Sequence, residues 1–403
     1  MRKEFYRNRK EHKQDFYLLI IIGILFSFAM AISSSFVNVY LWKQTKEWMV
    51  MAKYQAIIYA MQMATFFIGG CLSSYLDRKW LLRFGITLLV IFYITVLFLG
   101  TEANQYMVLL GVLLGGGLGL FWLSYNVLTF EITEPNTRKV FNGWFGAWTS
   151  LSGMFGPLLS GYVIKRFHSQ GYMYAFMLSL CLFFLAIVGS HFFIRKGYKK
   201  KFEISKIWLK KHAGQTWRKL SVGFFLQGLR EGTYSFVIII YIFVLTNKEW
   251  EVGMYSFVQS FLSFITYYMV GKRLKKQWYK KSIFIGGMIL FLSAFFIVFQ
   301  VQPPLLYIYA LFISIGYPLV LVPFISLTYD IIGKEKDGAT HRVEYLVSRD
   351  FLLNGGRLCS VFIFICFLAW NESFFYYPLI IVGASYWLIY VAIRHLPLDI
   401  KVK

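Results

Sequence analysis

The chain has 403 residues, of which 58% are hydrophobic and 20% aromatic but only 15% charged. This composition differs strongly from that of soluble globular proteins. It therefore excludes that class and indicates a membrane protein. The formal charge of +23 would suggest nucleic-acid binding in a soluble chain, but in a membrane protein the positions of the basic residues first report topology.

Apolar stretches long enough to cross a bilayer recur along the chain and predict twelve membrane spans. They occupy residues 16–41, 49–76, 84–101, 106–131, 143–165, 173–194, 220–246, 253–271, 282–302, 304–332, 343–369 and 374–393. The first run is longer than the apolar part of a signal peptide and has no small-residue cleavage pattern. We therefore expect it to be retained as a membrane anchor.

Lysine and arginine are distributed very unevenly between the two sides of the predicted spans. Of the 42 basic residues, 33 fall on the side of the N-terminus, 6 fall on the other side and 3 lie inside spans. Because basic loops stay in the cytoplasm, this bias predicts that both termini are cytoplasmic. We expect a multi-pass protein of a bacterial inner membrane.

The longest connection, residues 195–219, contains ten basic residues and one acidic residue. It divides the chain into an N-terminal six-span half (1–194) and a C-terminal six-span half (220–403). Its segment 202–211 has the pattern of an amphipathic helix lying on anionic lipid. The alternative, which we favour, is that the whole connection is a topology signal and linker.

The two halves also share short sequence repeats. Ser-Phe-Val at position 35 and Lys-Glu-Trp at position 46 recur at 235 and 248, and Leu-Thr-Phe-Glu-Ile at 128 recurs as Leu-Thr-Tyr-Asp-Ile at 327. All three recurrences have offsets of 199 to 202 residues. This agreement predicts an all-α protein made of two homologous six-helix bundles in parallel orientation.

Six plus six spans around a basic central loop resemble the major facilitator superfamily. Between spans 2 and 3, residues 73–79 are similar to the loop signature of that family, with a small residue four positions before the pair Asp77–Arg78. Trp80 and Leu81 depart from the signature, which usually has glycine and a basic residue there. The resemblance implies transport by alternating access.

Span 5 carries a second resemblance. Residues 152–161 are similar to a motif of antiporting family members, although Ser152 and Ser160 replace two of its glycines. Small residues allow close helix approach and proline loosens the backbone, so the run suits a moving helix contact. The predicted packing residues are Gly153, Gly156, Pro157 and Gly161. The resemblance implies proton-driven export.

Glu131 and Asp330 occupy equivalent positions in the repeat, near the cytoplasmic ends of spans 4 and 10, close to the basic loops around Arg78 and Lys272. Because the repeat predicts both acids, we expect them to form a gate with Asp77 and Arg78, in which ion pairs close the cytoplasmic face and break as the halves move. The alternative is direct contact with substrate.

Arg230 and Glu231 lie in the middle of span 7, where a charged side chain costs about 2.5 to 3.5 kcal/mol on insertion scales. Their repeat equivalents, Met30 and Ala31, are uncharged, so the shared fold does not require them. Spacing of three and four residues places a polar group on one helix face. The members of this group are Gln227, Arg230, Glu231 and Tyr234.

Span 11 carries another polar stripe, formed by Asp350, Asn354 and Arg357. Two interpretations remain open. In the first, Arg357 pairs with Glu231 and Arg230 with Asp350, which fastens spans 7 and 11 together. In the second, one guanidinium is available to bind a carboxylate or phosphate of a substrate while Glu231 exchanges a proton.

Two residues of span 4, Trp122 and Asn126, complete the predicted substrate site. Aromatic cavity walls suit an amphiphilic or ring-bearing ligand. We find neither a glycine-rich phosphate loop nor paired carboxylates on an extramembrane domain, and the four cysteines lie in apolar runs without metal-ligand spacing. We therefore expect no enzymatic activity, no catalytic residues, no metal and no cofactor.

The sequence thus predicts a monomeric secondary transporter of an anionic or amphiphilic organic solute. Transport is expected to be coupled to protons, and export is a candidate direction. Its expected partners are a small-molecule substrate, protons and the lipid bilayer, and no nucleic acid. One alternative is a non-transporting partner of other membrane or envelope proteins. Another is a flippase for an envelope lipid precursor, with the arginines binding a phosphate headgroup.

Overall fold

The structure is a computed structural model that describes residues 2–133, 135–194, 202–204, 215–298, 303–334 and 341–396. All regular secondary structure in these residues is helical. The α-helices are α1 (Arg2–Thr45), α2 (Trp48–Leu72), α3 (Arg78–Leu99), α4 (Met107–Ile132), α5 (Pro135–Phe167), α6 (Gly171–Ser190), α7 (Gln215–Thr246), α8 (Glu249–Arg273), α9 (Tyr279–Val298), α10 (Pro303–Lys334), α11 (Arg342–Trp370), α12 (Tyr377–Gly383) and α13 (Ser385–Ile393).

Nine segments of the described chain are long and apolar enough to cross a membrane, with α3 and α4 forming one of them and α12 and α13 another. Helices α5 and α8 fall outside these nine, since α5 begins with polar residues and α8 carries charges at both ends. Counted with α5 and α8, and with α3 and α4 taken separately, the helices are consistent with the twelve predicted spans.

The helices pack as an N-terminal set, α1–α6, and a C-terminal set, α7–α13. The most extensive contacts within the sets join α2 to α4, α3 to α4, α7 to α11 and α9 to α10. Two large contacts join the sets, α2 with α11 and α5 with α8. The sequence repeat relates span 2 to span 8 and span 5 to span 11, so these two contacts are equivalent to each other under the repeat.

Helices α5 and α8 approach closely along only part of their length. We call the face on which α1 begins the terminal face and the other the opposite face. Near the opposite face, a Cβ added to Gly161 would lie 3.4 Å from Gly253, and further along Ser260 donates a hydrogen bond of 3.0 Å to the carbonyl of Gly153. Near the terminal face, a Cβ on Gly143 would meet no atom of the described residues within 4 Å. The two helices therefore diverge towards the terminal face.

An ion pair joins the two helix sets at the opposite face. Lys43, at the end of α1, lies 2.8 Å from the carboxylate of Glu249, at the start of α8. Tyr172 of α6 donates a hydrogen bond of 3.0 Å to the same carboxylate. Glu249 therefore contacts two helices of the N-terminal set from the C-terminal set.

At the terminal face, part of the central connection packs against α2 and α11. The backbone amide of Phe202 donates to Ser74 Oγ at 2.8 Å, and the amide of Glu203 donates to Glu344 Oε1 at 3.1 Å. The Phe202 ring lies against Gly70, where an added Cβ would approach it to 2.9 Å. Residues 202–204 are not helical, and the rest of the predicted amphipathic segment 202–211 lies outside the described residues.

Candidate substrate site between the helix sets

A cavity of about 590 Å³ lies between the two helix sets. Its walls come from α1, α2, α3 and α4 on one side and from α7, α8, α10 and α11 on the other. This volume falls in the range of cavities that hold small organic ligands. Among the described residues, three charged side chains line it, namely Arg230, Glu231 and Arg357.

Glycines bring α7 and α11 into backbone contact next to these charges. A Cβ on Gly228 would lie 1.9 Å from the carbonyl oxygen of Leu353, and one on Gly232 would lie 2.3 Å from that of Arg357. From α11, a Cβ on Gly356 would lie 2.0 Å from the carbonyl oxygen of Phe225. Only glycine fits at such distances, and the close approach places the polar face of α7 against that of α11.

Glu231 and Arg357 form an ion pair across this helix contact. Arg357 Nη2 donates to Glu231 Oε2 at 2.6 Å, and Arg357 Nε donates to the same oxygen at 3.2 Å. This geometry agrees with one part of the first interpretation above, namely the pairing of Arg357 with Glu231 that joins spans 7 and 11.

The second oxygen of Glu231 accepts three further hydrogen bonds. Tyr317 of α10 donates to Oε1 at 2.6 Å, Tyr386 of α13 at 3.0 Å and Gln227 of α7 at 2.9 Å. With the two bonds from Arg357, the carboxylate has five donors. Such a shell stabilises the ionised form of a buried acid.

Asp350 does not reach Arg230, so the predicted pair between them does not form. Its carboxylate instead accepts from Arg349 Nη2 at 2.8 Å. Asn354 supports Arg357, because its Oδ1 accepts from Arg357 Nη1 at 3.1 Å while its Nδ2 donates to the Asp350 carbonyl at 2.9 Å. The polar stripe of α11 therefore orients Arg357 and does not neutralise Arg230.

Arg230 is 3% exposed and forms no ion pair with any residue that the structure describes. Its guanidinium lies 4.3 Å from the ring centre of Tyr234 and 5.5 Å from that of Tyr386, and Tyr309 lies beside it. The Nε and Nη2 donors have no hydrogen-bond partner among the described residues. Aromatic faces attract the cation, but they leave these two donors without an acceptor.

The remaining predicted site residues occupy different positions. Trp122 and Tyr234 line the cavity, and the Tyr234 hydroxyl donates to the Leu379 carbonyl at 2.8 Å. Gln227 does not line the cavity, but its side-chain amide donates a hydrogen bond to Glu231. Asn126 lies one helical turn beyond Trp122 on α4 and is not part of the wall.

Several side chains at the site had not been singled out from the sequence. Tyr317 and Tyr386 carry no distinguishing pattern, because tyrosine occurs 28 times in the chain. The four-residue spacing of Gly228 and Gly232 was a visible signal of close helix contact. The cavity amides form another group without a sequence signal, namely Asn38, Gln55, Gln62 and Gln259.

The four predicted gate residues form contacts within their own helix sets. Asp77 caps α3 by accepting from the amide of Lys79 at 3.2 Å. Arg78 Nε lies 3.2 Å from Glu131 Oε1, within the N-terminal set. Asp330 pairs with Lys276 at 2.5 Å, within the C-terminal set. Each acid thus ties a loop to a helix end of its own set.

The predicted packing motif of α5 faces two neighbours. A Cβ on Gly156 would lie 2.6 Å from the Cβ of Ala31 on α1. Gly153 and Gly161 face α8, and the Pro157 carbonyl would lie 2.7 Å from a Cβ on Gly253. The motif therefore packs one face of α5 against its own set and another against the C-terminal set.

In the part of the chain that the structure describes, no cluster of three or more histidine, cysteine, aspartate or glutamate side chains is arranged to hold a metal ion. The charged groups that line the cavity within the same ranges are two guanidinium ions and one carboxylate that is already bound by five donors. Their chemistry suits the binding of an anion.

The model of the Major Facilitator Superfamily matches residues 18–341. The chain belongs to the major facilitator superfamily. This match confirms the family predicted from the loop and span-5 motifs, and it makes the protein a multi-pass membrane protein of a transporter family.

The chain is also similar to two curated relatives and, in fold, to a solved structure. "Uncharacterized protein YqgE" of Bacillus subtilis (strain 168) is 43% identical over 388 residues, covering 96% of this chain and 89% of the relative. "Uncharacterized protein in sodM 3'region" of Geobacillus stearothermophilus is 45% identical over 170 residues, covering 42% of this chain and 79% of the relative. A mutant of the nucleoside transporter NupG, known from a crystal structure, has the same fold, with a TM-score of 0.69 at 12% identity, over 94% of this chain and 99% of that one.

Proposed function

We propose that the protein is a secondary active transporter that moves a small anionic or amphiphilic organic solute by alternating access. The observation that carries this proposal is the cavity between the helix sets, which has the buried Arg230 in its wall. Two hydrogen-bond donors of Arg230 have no acceptor among the described residues. An unpaired buried cation is costly unless a partner arrives. A solute with an acidic group supplies that partner.

Contacts between the helix sets support an alternating-access cycle. The Lys43–Glu249 pair and the contact of α5 with α8 hold the sets together at the opposite face, whereas α5 and α8 diverge at the terminal face. Near the terminal face, the Phe130 ring of α4 lies 6.4 Å from the Tyr329 ring of α10, so the sets meet at both faces in this conformation. We infer from the basic loops that the terminal face lies on the cytoplasmic side of a bacterial inner membrane. Residues 1–194 and 220–403 then move as two units joined by 195–219.

Glu231 is the proposed site of proton coupling. In the conformation described, Arg357 and three neutral donors form hydrogen bonds with its carboxylate. When the acid of the solute binds Arg230, it brings a negative charge next to the Glu231–Arg357 pair, which raises the affinity of Glu231 for a proton. Binding of the anion and binding of a proton are thereby linked at neighbouring groups.

Proteoliposomes with an internal pH dye would test this function. A panel of carboxylates, phosphate esters and neutral nucleosides would be added outside, with an imposed pH gradient. We expect at least one anionic solute to cross only when the protein is present, with proton movement, and we expect Glu231→Gln to abolish the proton movement. If Glu231→Gln leaves pH-driven transport intact, Glu231 has no part in coupling. If no solute that binds the protein crosses the bilayer, the transport proposal fails.

The alternatives have less support. A non-transporting scaffold would not need an open cavity with a buried cation, and the cavity here is not filled by the side chains that the structure describes. A lipid flippase would need an apolar path for acyl or prenyl chains, whereas amides and hydroxyls line much of this cavity. The experiment above also separates these alternatives, because neither predicts translocation of a small soluble anion.

A further inference from the structure

The charges of the cavity lie on one wall only, as far as the described residues form it. Arg230, Glu231 and Arg357 all belong to α7 and α11 of the C-terminal set. The described residues of the wall formed by α1, α2, α3 and α4 include no aspartate, glutamate, lysine or arginine. A ligand that fills the cavity therefore meets charge on one side and neutral groups on the other.

The charged wall has an excess of one positive charge. Glu231 and Arg357 neutralise each other through two hydrogen bonds, which leaves Arg230 without a counter-ion in the described part of the chain. Because a low-dielectric site penalises any uncompensated charge, a ligand with one negative charge fits best. A dianion would leave one charge unmatched, and a neutral ligand would leave Arg230 unmatched.

The neutral wall offers hydrogen-bonding groups on α1 and α2, next to apolar side chains such as Leu114 and Leu118 of α4. Asn38 of α1 and Gln62 of α2 line the cavity, and their side-chain amides have no hydrogen-bond partner among the described residues. Gln259 of α8 presents a third such amide from the wall of the C-terminal set. Covering these groups with an alkyl chain would remove their hydration without supplying a new hydrogen bond, which is unfavourable for each group.

We propose that the ligand is a small organic acid with a single negative charge and a body rich in hydroxyl or amide groups. Its acidic group binds Arg230, and its body forms hydrogen bonds with the amides of α1 and α2. This inference rests on the proposed function, and within the broader class of anionic or amphiphilic solutes it selects the hydrophilic monoanions.

Binding by the purified full-length protein would test the ligand class. The probes are two polyhydroxylated monoanions, gluconate and quinate, compared with their alkyl counterparts hexanoate and cyclohexanecarboxylate, with neutral glucose and with the dianion glucarate. Thermal unfolding in detergent reports binding, since a ligand of the native state raises Tm. We expect gluconate or quinate to bind at least about tenfold more tightly than every comparison compound.

Variants would test whether the acidic group of the ligand binds Arg230 and whether its polar body binds the amides of α1 and α2. In Arg230→Gln, the preference for gluconate over glucose should disappear, and Arg230→Lys should retain part of it. In Gln62→Leu, the preference for gluconate over hexanoate should fall while the preference over glucose remains. Each variant would first be shown to unfold cooperatively, so that lost preference is not mistaken for lost folding.

Three results would overturn the inference. These are failure of both polyhydroxylated monoanions to bind, equal or tighter binding of an alkyl, neutral or dianionic probe, and an unchanged charge preference in Arg230→Gln. A separate flux measurement in proteoliposomes distinguishes this failure from failure of the proposed function. A hydrophilic monoanion that binds but does not cross would contradict transport alone, whereas transport of an uncharged solute would contradict the ligand class alone.

Discussion

At the scale of single residues, the two arginines of the cavity have similar sequence settings but different surroundings. Both lie inside apolar helices, yet Arg357 holds a carboxylate at 2.6 Å while Arg230 lies against tyrosine rings, with two donors unsatisfied by any described residue. A paired and an unpaired buried charge respond in opposite ways to removal. Stability measurements should therefore separate their roles.

Replacing Arg230 by methionine should leave the stability of the ligand-free protein unchanged or raise it, because the change removes an uncompensated buried charge and keeps much of the side-chain volume. Replacing Arg357 by methionine should destabilise the protein by about 3 to 5 kcal/mol, because it leaves Glu231 charged and unpaired. Thermal unfolding of both variants in the same detergent checks this. A larger loss for Arg230→Met than for Arg357→Met would contradict the assignment of charges.

The sequence could predict the charged pair but not its complete surroundings. Helical spacing placed Glu231 and Arg357 on facing stripes, and their pairing was one of two interpretations. The pairing of Arg230 with Asp350, which one of the two interpretations required, does not form, because Arg349 directly precedes Asp350 and its side chain binds that carboxylate. Tyr317 and Tyr386 could not be foreseen, since a tyrosine in an apolar helix is common and its hydroxyl direction depends on tertiary packing.

At the scale of helices, the contact of α7 with α11 determines the geometry of the site. A Cβ on Gly356 would come within 2.0 Å of the Phe225 carbonyl oxygen, whereas a Cβ on its neighbour Gly355 would meet no atom of the described residues within 4 Å. These adjacent glycines belong to the same helix and lie at nearly the same depth in the membrane. They form a matched pair for testing whether close approach is required.

Gly356→Ala should separate α7 from α11, weaken the Glu231–Arg357 pair and lower Tm, because backbone atoms cannot retreat without moving a helix. Gly355→Ala should be neutral or slightly stabilising, since alanine is favoured over glycine inside a helix by about 0.5 to 1 kcal/mol. Thermal unfolding of both variants gives the comparison. Equal losses in the two variants would show that backbone proximity is not the cause.

Phe202 provides a second test at this scale, because it packs the central connection against α2. In Phe202→Ala, the hydrogen bond from the amide of residue 202 to Ser74 Oγ should weaken. The backbone amides at the end of α2 should then exchange with deuterium faster. Phe192→Ala is a suitable control, since Phe192 is 60% exposed. Hydrogen exchange measured by mass spectrometry would report the difference. Unchanged exchange near residues 70–75 would argue that the connection does not hold this helix end.

Helix positions followed from apolar run lengths, but their ends and breaks did not. α1 begins at Arg2 rather than near residue 16, because a helix can continue into water where polar residues favour it. The last predicted span, 374–393, consists of two short helices that meet at Ala384. Hydropathy reports burial in lipid and carries no information about a local change of helix direction.

At the scale of the whole molecule, an ion pair between the helix sets lies at the face where the sequence suggested no gate. The repeat drew attention to Glu131 and Asp330 at the terminal face, and their role as gates stays a prediction. The Lys43–Glu249 pair has no counterpart in that pattern. Contacts between the sets depend on which conformation the protein adopts, and a sequence encodes all conformations together.

Reversing one charge of the Lys43–Glu249 pair should favour opening at the opposite face. A partly exposed pair contributes about 0.2 to 1 kcal/mol, so Lys43→Glu should shift the balance of conformations up to about fivefold. Combining Lys43→Glu with Glu249→Lys should restore the original balance. Distances between spin labels on α1 and α8 would measure the populations. The matched control is Lys248→Glu, and an equal shift there would show that only net charge matters.

The unmatched charge of Arg230 also makes the membrane potential part of the cycle. A carrier that has bound a monoanion but no proton presents no net charge in its cavity, so its reorientation is insensitive to voltage. The empty carrier presents one positive charge, and a unit charge that crosses the whole field gains about 2.3 kcal/mol per 100 mV. An interior-negative potential would therefore draw the unloaded cavity towards the cytoplasm, and it would act in the same way on a carrier that holds the monoanion together with a proton on Glu231.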